Sequence, residues 1–133
     1  MTQITFKQGT TPSGLDLAER FSRAAAGYVR ERIAFDADIL LGFGEARRLV
    51  RVRSGCVTAI EIPAKPLQSW DFSICGTEQA WVAYWQTVPA PGWHDILALG
   101  KRGEMRIEGR LQPLMANLQQ VKDLLALPRD GQK

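Results

Sequence analysis

Hydrophobic and polar residues change their period several times along this chain, and each change marks an element. Leu15, Ala18, Phe21, Ala25 and Tyr28 recur at three- and four-residue steps, which predicts a helix with one apolar stripe, and Ser13 stands where its hydroxyl can cap the first turn. From Ile33 the step becomes two. Ile33, Phe35, Ala37, Ile39, Leu41 and Phe43 alternate with outward-pointing Asp36 and Asp38, the pattern of a half-buried strand. Two β-rich runs in RLVRVRSGCVTAIEI flank Ser54-Gly55, a hairpin signal. A short strand follows, with Phe72 and Ile74 on one face and Gly76 at its end.

Thr77 then caps a helix, with Glu78 in its first turn, where a negative charge suits the helix dipole. Trp81, Tyr84 and Trp85 share one side of that helix, and Pro89 and Pro91 stop it. A shorter helix is predicted from about Trp93 to Gly100. In GEMRIEG, Met105 and Ile107 face one way and Arg106 and Glu108 the other, which predicts a last strand. Pro113 opens a long helix, closed by Pro128, whose stripe is Leu114, Met115, Leu118, Val121, Leu124 and Leu125. Strands in a run, then helices with one late strand, make an α+β fold, and the late strand's return across helices predicts a mixed sheet. At 133 residues the chain is one domain: a loose arm over 1–13, a body over 14–128 and a tail over 129–133.

The formal charge of +3 allows weak attraction to an anionic surface but does not call for a nucleic-acid partner. The basic residues gather as Arg47, Arg48, Arg51 and Arg53, then Lys101, Arg102, Arg106 and Arg110, read as two solvated faces or as a surface for anionic lipid or a partner. Cys56 and Cys75 lie in no metal-binding spacing. No cofactor motif appears, and no apolar run approaches the roughly 18 residues of a membrane span. With no secretory signal visible, the expected compartment is the cytoplasm.

Candidate chemistry is sparse. His94–Asp95 is the only constellation with catalytic residue types in the middle of the chain, but neighbours on a helix point about 100° apart, so Asp95 is badly placed to orient the imidazole. Glu108 alternates with core positions and should pair with an arginine on the outer face. The aromatic group is the stronger feature. Trp81, Tyr84, Trp85 and Trp93 bring roughly 150–250 Å² of buried area each, and serve either as core or as the wall of an apolar cavity.

The runs WDFSICGTEQAWVAYW and GEMRIEGRLQPLMANLQQVKDLL together resemble the sterol carrier protein type 2 (SCP-2-like) lipid-binding family. Asp71 to Ile74, Thr77 to Trp85, Ile96 to Gly103, Met105 to Gly109 and Leu114 to Leu125 fill that family's slots in order. The resemblance spans roughly residues 15–127. It implies a mixed, mainly antiparallel sheet of about five strands covered on one side by helices. It also implies a non-enzymatic protein that binds or transfers a sterol, fatty acid or acyl-CoA in a tunnel between sheet and helices. The implied wall is Trp81, Tyr84, Trp85 and Trp93, with Ile96, Leu97, Leu99 and Met105, and Leu114, Met115 and Leu118 from the last helix. An accessory protein–protein interaction module with a filled core is the alternative, and a homo-oligomer is compatible with both.

Overall fold

The computed structural model describes residues 12–29, 34–63, 69–93 and 95–129. The chain runs α1 (Gly14–Ala25), β1 (Ala37–Phe43), β2 (Ala46–Arg53), β3 (Cys56–Glu61), β4 (Phe72–Gly76), α2 (Glu78–Tyr84), α3 (Ile96–Lys101), β5 (Met105–Gly109), α4 (Leu111–Ala116) and α5 (Leu118–Leu125). The strands form one five-stranded sheet in the order β3-β2-β1-β4-β5. β1 and β4 are parallel and every other neighbouring pair is antiparallel. The expected mixed α+β architecture is therefore present.

Local chemistry explains the element boundaries. Ser13 Oγ accepts from Asp16 N at the start of α1, and Thr77 Oγ1 accepts from Ala80 N at the start of α2. The α1 stripe keeps the expected Ala18, Phe21 and Ala25 but runs through Gly14 and Leu17 in place of Leu15. Gly14, Leu17, Ala18, Phe21 and Ala25 are buried, while Leu15 is 58% exposed. Gly14 sets this phase, because a Cβ there would strike the Phe43 carbonyl. The β2–β3 turn has φ of 53° at Ser54 and 77° at Gly55, the left-handed pair of a two-residue hairpin. β1 begins at Ala37 rather than at Ile33; Phe35 is still buried, and Ile33 lies outside the described residues.

The register fixes which side chains share a face. Ile39, Leu41 and Phe43 of β1 stand beside Val50 of β2 and Phe72 and Ile74 of β4, all buried beneath the helices. The opposite face carries Asp38, Arg47, Arg51, Arg53, Ser73, Cys75, Arg106 and Glu108. There Asp38 pairs with Arg51 at 3.1 Å and with Arg53 at 2.9 Å.

The long C-terminal helix is instead two helices. The first starts at Leu111, so Pro113 sits inside its first turn, where a missing N–H costs no helical bond. Asn117, at φ −128° and ψ 34°, breaks the run, and its Nδ2 donates to the Pro113 carbonyl at 3.0 Å. Among the described residues no helix is long and apolar enough to cross a membrane.

Candidate functional site

The aromatic rings of α2 meet one another and the end of β1. Trp81 lies 4.7 Å from Phe43 and 5.5 Å from Trp85, centroid to centroid, and meets Tyr84 edge-on at 6.1 Å. Each polar tip has a backbone partner. Trp81 Nε1 donates to the Gly42 carbonyl at 2.8 Å, Trp85 Nε1 to Leu125 O at 2.7 Å and Tyr84 Oη to Lys122 O at 3.2 Å. The latter two bonds tie α2 directly to α5. Burial pushes the Tyr84 phenol up to about 12, against the opposing pull of Arg129. Arg129 stacks on the Tyr84 ring and donates to its backbone carbonyl.

The other expected wall residues are divided. Ile96, Leu99, Met105 and Leu114 are buried in the same core, and Trp93 and Leu118 are half-buried against it. The Arg102 guanidinium stacks on Trp93 at 4.3 Å. Leu97 is half-buried in a groove outside the core, and Met115 is 53% exposed. The broken helix accounts for Met115: with the turn at Asn117, its side of α4 faces outward. His94 lies outside the described residues; its neighbour Asp95 caps α3, accepting from Leu97 N at 2.9 Å, and pairs with Lys122 at 3.4 Å.

Three open depressions lined by described residues lie around this packed centre. The first, about 430 Å³, lies where α1 meets the edge strand β3. Its walls are Ala26, Gly27, Val57, Ala59, Ile60 and Ile62, and Arg48, Glu19 and Ser22 form its polar end. Arg48 is only 5% exposed, which corrects the reading of all four β2 arginines as solvated. It lies in phase with Val50 and Val52 and so faces the helices. Its Nη1 donates to Arg47 O at 2.8 Å and its Nη2 reaches Glu19 Oε2 at 3.0 Å, while the Glu19 side chain is 54% exposed. A small void bounded by Tyr28, Phe35, Val52, Gln120 and Leu124 adjoins this corner through Val57, which lines both spaces.

The second depression, about 400 Å³, lies on the sheet face turned away from the helices, between Arg47, Trp70, Ser73, Cys75, Arg106 and Glu108. Its charges are mixed, and burial pushes the Cys75 thiol up, which leaves it protonated at neutral pH. The third, about 620 Å³, lies between α3 and β5 and is lined by Leu97, Gly100, Met105 and Ile107 together with Lys101, Gly103 and Arg106. Among the described residues no cluster of three or more His, Cys, Asp or Glu side chains is placed to hold a metal.

No family model and no curated protein matches the sequence. Among solved structures, the UbiJ-SCP2 ubiquinone synthesis protein aligns at 11% identity over 85% of this chain and 80% of its own, with a TM-score of 0.43. Sterol Carrier Protein 2 Like 2 from Aedes aegypti aligns at 13% identity over 81% of this chain and 95% of its own, with a TM-score of 0.50. The five-stranded mixed sheet with its helices, aligned with the latter over 81% of this chain and 95% of its own, gives this chain a sterol carrier protein 2-like fold.

Proposed function

We propose that this protein binds an amphipathic small molecule with an acidic head, of the fatty-acid or acyl-CoA class, and carries it without transforming it. The observation that carries this reading is the α1–β3 groove, apolar along Val57, Ile60 and Ile62 and closed at one end by the buried Arg48. Its volume of about 430 Å³ falls within the range of small-molecule sites. Arg48 is held from behind by the Arg47 carbonyl, so its guanidinium is positioned in advance. The exposed Glu19 carboxylate occupies the place a ligand carboxylate or phosphate would take, and exposure lets it swing away. An arginine fork suits either head group. The fold shared with a sterol carrier protein supports the same general class of cargo.

A fluorescent fatty-acid probe tests this. The probe should bind, an unlabelled fatty acid should displace it, and the matching alcohol should do so roughly tenfold less well, having no charge for Arg48. Ala26→Trp, which fills the groove from an exposed position, should abolish binding while leaving the circular dichroism unchanged. Binding that survives Ala26→Trp would move the site elsewhere. The packing of Trp81 and Trp85 favours a second reading, an accessory interaction module with a filled core, which predicts no probe binding at all.

A further inference from the structure

We infer that β5 is a self-complementary edge at which two copies of this chain join into one continuous ten-stranded sheet. β5 ends the strand order, so among the described residues one of its sides has no neighbouring strand. Which groups face that side follows from the ladder with β4. Arg110 N donates to Asp71 O and Thr77 N to Glu104 O, so the even-numbered residues between them also bond towards β4. The N–H and C=O groups of Met105 and Ile107 therefore point outward, and among the described residues none has a partner.

A two-fold axis at Ile107 pairs these groups with their own copies. Ile107 meets the second copy's Ile107 as a hydrogen-bonded pair, and Met105 meets its Gly109. The same register places Arg106 opposite the second copy's Glu108, twice, at the closer non-hydrogen-bonded positions. Backbone parity and side-chain charge thus agree on one alignment, as an isologous contact requires. Within one chain Arg106 and Glu108 are only 4.0 Å apart and highly exposed, so they are free to re-pair across the axis. The groove of about 620 Å³ between α3 and β5 opens along the same edge, and Leu97 and Ile107 in its lining give the second copy's Ile107 apolar neighbours. Edges that avoid association carry prolines, bulges or inward-pointing charges. β5 has no proline, pairs with β4 in unbroken register, and points its charges away from the core.

Sedimentation of the full chain tests this, with circular dichroism as the fold check. The wild type should show a concentration-dependent dimer. Arg106→Glu places like charges opposite each other at both symmetric positions, as does Glu108→Arg, so each should weaken the dimer at least about tenfold. An equimolar mixture of the two variants should dimerise again, because one chain then presents two glutamates to the other's two arginines. A wild type that stays monomeric at its highest soluble concentration would overturn the inference. So would a dimer indifferent to Arg106→Glu, or a mixture that does not recover.

Discussion

Burial, more than any neighbouring charge, sets the chemistry of Tyr84. Its phenol rises from an ordinary value near 10 to about 12 inside the fold. Between those values the folded chain keeps a proton that the unfolded chain has lost, so stability falls as pH rises through the window. The loss should reach about 2–3 kcal/mol by pH 12. Tyr84→Phe removes this contribution: denaturant melts should show the variant less stable at neutral pH, where it lacks the bond to Lys122 O, and the gap should close or reverse towards pH 12. A gap independent of pH would mean that the phenol is not held protonated. Arg48 teaches a different lesson at the same scale. Its phase with Val50 and Val52 was readable in the sequence, but Leu49 is also buried, so strand β2 has apolar positions on both faces and alternation alone does not choose. The choice comes from α1, whose Glu19 meets Arg48.

At the scale of elements, the signals that were legible were chemical ones. Ser13 and Thr77 cap the helices they precede, and Ser54-Gly55 turns the hairpin. Thr77→Ala should cost about 1 kcal/mol, seen as a fall of a few degrees in Tm, while Thr77→Ser should stay close to wild type. An equal loss in both would point to the methyl group rather than the capping hydroxyl. Periodicity was less decisive where a close approach or a break intervened. Leu15 and Leu17 both fit a helical stripe, and the contact of Gly14 with the Phe43 carbonyl selects Leu17. The apolar spacing from Leu114 to Leu125 runs through Asn117 without a gap, yet the Asn117 side chain bonds back to Pro113 O and ends the first helix. Hydrophobic spacing records which residues are buried; it does not record a backbone carbonyl captured by an amide.

Across the whole molecule, the two proposed surfaces lie at opposite ends of the strand order, the ligand groove at β3 and the dimer edge at β5. Four strand spacings of about 4.8 Å put them roughly 19 Å apart. Between them the sheet and the packed aromatic centre form a single core cluster, with ring tips bonded to backbone on β1 and α5. Long-range coupling needs an element with two arrangements that both sites bias. Trp81 and Trp85, fully buried with every polar tip satisfied, offer no second arrangement of that kind. Cargo binding and self-association should then be energetically independent. Titrating the fatty-acid probe into wild type and into Arg106→Glu should give affinities within about twofold of each other, and the wild-type value should not change with protein concentration. By linkage, saturating fatty acid should leave the dimer's dissociation constant unmoved. A ligand that strengthened or broke the dimer would show that the core between the two edges shifts as a unit, and would make the aromatic centre the conduit rather than the partition.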